Sequence, residues 1–136
     1  MDPNRARDFA RVNHRAIMVT RHADGRPQTS PVTCGVDDEG RLVVSTRETA
    51  AKTRNLLRDP RVTLCLITDG FFGDWAQVDG EAEVLRLPDA MAPLIDYYRM
   101  ISGEHPDWDD YRKAMESERR VIVRVTITRA GPDVHG

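Results

Sequence analysis

The 136-residue sequence has only two cysteines, four histidines and 6% aromatic residues, and neither sign of charge dominates. Each shortage excludes something. Cys34 and Cys65 lie in separate apolar, alternating stretches and form no C-x-x-C pair, which points to buried reduced thiols and away from a disulfide or zinc framework. The histidines, His14, His22, His105 and His135, have no H-x-x-x-H or H-E-x-x-H spacing, so no metal site is expected. Twenty Lys and Arg against 22 Asp and Glu leave a net charge of -2. Without a basic excess, general nucleic-acid binding is disfavoured and any anion site must be a local cluster. The longest apolar runs, such as Leu64-Cys65-Leu66-Ile67, fall far below the roughly 20 residues that cross a bilayer, so no membrane span is expected. The amino terminus, Met1-Asp2-Pro3-Asn4-Arg5, is not followed by the apolar segment of a secretory signal, and a cytoplasmic location is expected. No G-x-G-x-x-G, G-x-x-x-x-G-K or G-x-S-x-G occurs, which sets aside Rossmann and P-loop nucleotide sites and the serine-hydrolase elbow. Asp107, Asp109 and Asp110 lack the EF-hand pattern, and Asp107 reads as a helix cap.

What is present is a pattern of short strands. The length suits one domain. Asp2 with Pro3 starts a short docking helix over 1–13, with Phe9 and Val12 on one face. Barrel strands are expected over 14–86. Arg15 to His22 is β-branched and apolar, Asp24-Gly25 favours a tight hairpin, and a second strand runs from Pro27 to Val36, with Pro31 marking an edge or bulge. After the turn Asp37-Asp38-Glu39-Gly40 come a strand from Arg41 to Thr46, a helix near 48–58 stopped by Asp59-Pro60, and a strand from Val62 to Thr68. Trp75 to Leu85 alternates, with Ala76, Val78, Gly80, Ala82 and Val84 on the core face. Two amphipathic helical pieces follow over 88–117, carrying Met91, Leu94, Ile95 and Tyr98, then Trp108, Tyr111 and Met115. A final strand covers 119–130, with Val121, Val123, Val125 and Ile127 inward. Hairpins dominate and no full crossover helix appears, so the expected fold is mainly β with helices, a six-stranded antiparallel barrel rather than a parallel doubly wound sheet.

The stretch Ser45-Thr46-Arg47-Glu48-Thr49-Ala50-Ala51-Lys52-Thr53-Arg54-Asn55 carries the most chemistry. Two hydroxyls end a strand, a helix starts at once, and Arg47, Lys52 and Arg54 surround that start. Helix amino termini offer free N–H groups and partial positive charge, so this is a candidate phosphate cradle. The alternative is a solvated basic helix face capped by Thr49. Gln28, Thr29 and Ser30 interrupt an alternating strand with polar groups, which suits hydrogen bonding to a planar ligand or an exposed edge. Trp75 opens its strand on the polar face, where it covers a ring system, a partner subunit or a neighbouring helix.

Two blocks, Asp24-Gly25-Arg26-Pro27-Gln28 with Ser30-Pro31-Val32, and Ala51-Lys52-Thr53-Arg54-Asn55-Leu56 with Arg58-Asp59-Pro60-Arg61, resemble the pyridoxamine 5′-phosphate oxidase-like flavin-binding split-barrel superfamily. Tyr98-Arg99, Gly103-Glu104-His105, Asp107-Trp108-Asp109-Asp110-Tyr111-Arg112 and Arg119-Arg120-Val121 resemble its actinobacterial branch that uses the deazaflavin coenzyme F420. The likeness covers Asp8 to Ala130. It implies a six-stranded split β-barrel that forms a homodimer with cofactor sites at the subunit interface, and transfer of a hydride between reduced F420 and a small organic acceptor. It implies cofactor contacts for Lys52 and Asn55 at the helix start, Ser45 and Thr46 at the strand end, and Gln28 and Ser30 near the ring. Trp75, Arg47 and Arg54 join them, the two arginines by charge and place. It supplies no acid–base residue, as suits chemistry in which the cofactor carries the hydride. The alternatives are an FMN-dependent oxidase or flavin reductase of the same superfamily, and a non-catalytic cofactor- or haem-binding dimer in which His105 is the one plausible axial ligand.

Overall fold

A computed structural model describes residues 1–134, and His135 lies outside them. In chain order the elements are α1 (Pro3–Val12), β1 (Arg15–Arg21), β2 (Pro27–Val36), β3 (Leu42–Arg47), α2 (Ala51–Arg58), β4 (Arg61–Ile67), β5 (Trp75–Leu85), α3 (Met91–Ser102), α4 (Trp108–Ser117) and β6 (Arg120–Asp133). The strands close into an antiparallel barrel in the order β1-β2-β3-β6-β5-β4, with β4 returning to β1. The expected six-stranded antiparallel barrel is therefore the fold.

Local chemistry explains the connections. Asp2 accepts the Asn4 amide at 2.8 Å to start α1. Gly25 (φ 88) and Gly40 (φ 77) take the left-handed positions of the two first hairpins. In the second, Asp37 Oδ1 accepts the amides of Glu39 and Arg41 at 3.0 and 2.9 Å. Asp107 caps α4 as expected, accepting the Asp110 amide at 3.1 Å.

Alternate residues of each strand fill the barrel. Met18, Leu42, Val44, Leu64, Leu66 and Val78 are fully buried there. Helix α2 closes one end with Leu56. A satellite core of Ala90, Leu94, Tyr111 and Ile122 lies under α3 and α4. The face of α1 differs from the expected one. Its contact residues are Ala6 and Ala10, one helical turn apart and both fully buried, whereas Val12 is 76% exposed and Phe9 only packs at the edge. Two alanines let the helix backbone approach the barrel more closely than Phe and Val would.

Several boundaries differ too. Helix α2 begins at Ala51 rather than Glu48, because the Arg47 carbonyl accepts the Ala50 amide (3.1 Å) and the Thr53 hydroxyl (2.6 Å), spending residues 48–50 on a turn. Ala50 is its N-cap and no side chain caps it, so Thr49 does not play that part. Strand β6 runs on to Asp133. Both cysteines are free; Cys34 is buried, with burial pushing its thiol up to about 12, but Cys65 faces outward from β4 and is only half-buried.

One seam of the barrel is short. β2 pairs with β1 over seven residues, Pro27 to Thr33, but with β3 over three only, Cys34↔Val44, Gly35↔Val43 and Val36↔Leu42. Cys34 donates its amide to His14 of the β1 side at 2.7 Å, and His22 donates to Arg26 in the same register. Even-numbered residues of β2 therefore face β1 with their backbone polar groups, and odd-numbered ones face β3. Pro27 and Pro31 are both odd. Their missing N–H groups fall on the open edge, which is where proline is tolerated in a sheet, and the expectation of an edge at Pro31 holds.

The β5–β6 ladder shifts register between Asp79 and Gly80, and Gly80 sits hard against β6: a Cβ there would lie 2.5 Å from the Thr126 carbonyl oxygen and 2.6 Å from Val125 Cγ1. Gly80→Ala is expected to destabilise the fold by about 1–3 kcal/mol through overpacking; urea unfolding measures it, and an unchanged midpoint would contradict the packing described.

Candidate functional site

The parted seam opens into a cleft of about 810 Å³. Its floor comes from the strands, with Thr33 on β2 and Ser45 and Thr46 on β3. Lys52 enters from the first turn of α2, Arg120 from the start of β6, and Tyr97, Tyr98 and Tyr111 from α3 and α4. Arg15 stands at the rim, paired with Asp69 at 3.1 Å. Ala16, Val32, Ile67 and Met115 supply apolar wall. Among the described residues no carboxylate lines this space.

That charge distribution sets the electrostatics. Lys52 is half-buried and makes no ion pair among the described residues. Burial first, and the positive charge of Arg120 second, hold its ammonium below the usual lysine value of 10.5. Arg120 is oriented from outside the cleft by Glu118, whose Oε1 accepts its Nε at 3.1 Å. Lys52, with no ion pair among the described residues, beside the Glu118-paired Arg120, hydroxyls and an uncapped helix start is an arrangement that suits an anionic group. The phenols of Tyr97 and Tyr111 are pushed up to about 12 by burial and remain neutral donors, Tyr97 to the Thr33 carbonyl and Tyr111 to the Leu94 carbonyl, each at 2.8 Å.

The residues singled out from sequence do not all converge here. Ser45, Thr46 and Lys52 line the cleft. Asn55 does not; it is 4% exposed, its Nδ2 donates to Thr20 Oγ1 at 3.1 Å, and Thr20 in turn donates to Gln28 Oε1 at 3.1 Å. This chain ties α2 to β1 and β2, so Asn55 and Gln28 hold the helix that presents Lys52. Ser30 Oγ is buried and unpartnered, a polar group left over on the open strand. Arg47 is exposed and reaches Glu118 at 3.4 Å. Arg54 is exposed, with no ion pair among the described residues. Trp75 lies on the outer face of β5 beside Ile67. The three cations expected at one corner are thus spread out, and Lys52 alone of them lines the cleft.

Sequence reasoning gave no site role to Arg15, Arg120 or the three tyrosines. The adjacent pairs Tyr97-Tyr98 and Arg119-Arg120 were the available signals, but which member faces the cleft depends on how α3 and β6 dock. The tail residues that carried the F420 resemblance do form one unit. The rings of Tyr98, His105, Trp108 and Tyr111 pack together with centroids 5.0–5.8 Å apart, Tyr98 edge-on to the other three, Trp108 edge-on to Tyr111, and His105 tilted against Trp108 and Tyr111. Arg99 lies 4.8 Å from the Trp108 ring centroid, and Glu104 both pairs with Arg99 (2.8 Å) and accepts from Trp108 Nε1 (3.1 Å). His105 is engaged in this packing, its Nδ1 accepting the Asp107 amide at 2.9 Å.

A six-stranded barrel parted along one seam, with a cationic and aromatic cleft in the opening, defines a split-barrel protein. The chain belongs to the pyridoxamine 5′-phosphate oxidase family, whose model matches residues 3–131. Solved structures share the fold. The conserved hypothetical protein Rv2991 from Mycobacterium tuberculosis is 24% identical with a TM-score of 0.77, over 96% of this chain and 82% of that one. A protein described as an F420 reductase is 22% identical with a TM-score of 0.68, over 91% and 94%. HutZ, the heme storage protein from Vibrio cholerae, is 17% identical with a TM-score of 0.74, over 96% and 93%. These likenesses establish the fold.

The lowered Lys52 value sets a pH dependence. Only the ammonium attracts an anion, so affinity for a phosphate-bearing ligand falls as pH rises through that value, below 10.5. In the free protein the same group binds fewer protons folded than unfolded, so stability rises with pH over that window. Lys52→Arg should keep the affinity flat to higher pH; a wild-type affinity that does not change from neutral to alkaline pH would remove Lys52 from the anion site.

Proposed function

We propose that the protein is an F420-dependent oxidoreductase that transfers a hydride between the reduced deazaflavin and a small organic acceptor. The observation that carries this reading is the cleft, free of carboxylates among the described residues, in which Lys52 stands beside Arg120 with no ion pair of its own among those residues. A phosphorylated, planar cofactor fits the residues present. Lys52, Arg120 and the start of α2 would meet its phosphate. The phenols and the apolar wall would flank its ring. Arg54, unpaired among the described residues, is available to the acidic tail that distinguishes F420 from FMN. The residues resembling the F420 branch support the same choice, because Tyr98 and Tyr111 link their aromatic cluster directly to the cleft.

When bound in its reduced form, F420 supplies the hydride. The chain's part is to bind, orient and shield. Fixed cations and neutral phenols need little reorganisation as charge moves, which is the main way such a site speeds transfer. Among the described residues no carboxylate or imidazole lines the cleft, and the accompanying proton is assigned to water or a neutral donor.

The reading includes a homodimer that completes the site. The outer faces of β1, β4 and β5 place Ile17, Val19, Cys65, Ile67 and Trp75 side by side, continuous with the rim residue Arg15. At the neighbouring loop Phe71 and Phe72 are 64% and 94% exposed. An apolar surface of that kind next to the cleft suits a second copy. Light scattering should give a mass near twice 15.4 kDa; a monomer at micromolar concentration would contradict the shared site.

Fluorescence titration separates the cofactors. F420 is expected to bind more tightly than FMN, and Lys52→Ala to cost about 1.5–3 kcal/mol of F420 affinity, a Kd raised by about ten- to hundredfold. Tighter binding of FMN would overturn the choice of cofactor, and unchanged F420 affinity in the variant would overturn the role of Lys52.

A further inference from the structure

The β2–β3 ladder stops one step before a hydrogen bond that its own register calls for. After Gly35↔Val43 and Cys34↔Val44 the next pair is Thr33 with Ser45. The odd-numbered residues of β2 face β3, so this would be a hydrogen-bonded pair with the Ser45 amide aimed at the Thr33 carbonyl. The two do not meet. Between them stands the phenol of Tyr97, which donates to the Thr33 oxygen at 2.8 Å and lines the same cleft as Ser45. A hydroxyl both donates and accepts, and so can stand in for the missing bond at both ends.

Packing explains how Tyr97 is held there. Helix α3 crosses the seam where it is still paired. A Cβ on Gly35 would lie 2.3 Å from Met100 Sδ, so the Met100 side chain lies directly over the strand at this glycine. Tyr97 is one turn earlier and therefore over the next pair along. Its ring forms part of the wall of the cleft and of a second cavity of about 600 Å³ on the other side. Beyond it, Pro31 has no N–H with which to resume the ladder.

We propose that Tyr97 is the wedge that keeps the barrel seam parted, its hydroxyl relaying the Ser45-to-Thr33 bond, and that it is thereby a positioning residue for Ser45 and Thr46 in the cleft. The backbone part of this stands on the free protein; the binding part rests on the cleft being the cofactor site.

The test is Tyr97→Phe, which keeps the ring and removes the relay. Amide hydrogen exchange followed by NMR should show Ser45 exchanging about tenfold faster, with the Leu64 amide of the β4–β5 ladder unchanged. Kd for F420 should rise about tenfold. Unchanged Ser45 exchange would overturn the wedge, and so would equal acceleration at Ser45 and Leu64, which would report general loosening. Faster Ser45 exchange with unchanged F420 affinity would overturn the positioning role. If the wild type binds neither F420 nor FMN, the cofactor reading fails with it, while Ser45 exchange still decides the wedge.

Discussion

The structure depends on where backbone hydrogen bonding between β2 and β3 stops. A closed barrel leaves no edge, and therefore no backbone groups for a ligand to meet. Here three pairs hold the seam and then release it, so that Thr33 and Ser45 part over the cleft. The opening is built into the sequence at several points. Pro27 and Pro31 place their missing donors on the side that is to remain open, and Met100 of α3 packs over Gly35 beside the gap. The rest of the barrel is paired along its ladders and packed with aliphatic side chains, and that rigid frame keeps the gap in one place.

The second constraint is charge. The chain as a whole is nearly balanced, but the balance is local almost everywhere. Arg41 is paired with Asp37 and Glu39, Arg61 with Asp59, and Arg86 and Arg119 with Glu48. Most of these pairs are exposed and contribute little to stability. Their effect is to neutralise the surface, so that the uncompensated ammonium of Lys52 beside Arg120 is a distinct feature in a molecule without net positive charge. Half-burying an unpaired cation costs stability in the free protein, and an anionic ligand offsets that cost on binding. The proposed function uses this difference between free and bound states.

Most of the fold was legible in the sequence because its signals are local. Period-two alternation in β1, β4 and β5, the Asp-Gly turn and the caps at Asp2 and Asp107 all depend on residues close together in the chain. The site was legible only in part. Ser45, Thr46 and Lys52 adjoin one another across a strand–helix junction, and proximity in sequence brought them together. Arg120 and Tyr97 come from elements whose docking no local pattern reveals. The opposite error arose with Arg47 and Arg54, which are neighbours of Lys52 in sequence but point away from the cleft because of the turn at 48–50. Asn55 and Gln28 showed their polarity but not its use, which is to fasten α2 through Thr20.

The central claim is that the parted seam is where the cofactor sits. Amide chemical-shift mapping on titration with F420 tests it most directly. The account predicts that the largest shifts cluster at Thr33, Ser45, Thr46, Lys52 and Arg120. Shifts concentrated instead around Asp37 and Asp96, on the far side of Tyr97, or an absence of shifts at saturating F420, would contradict it.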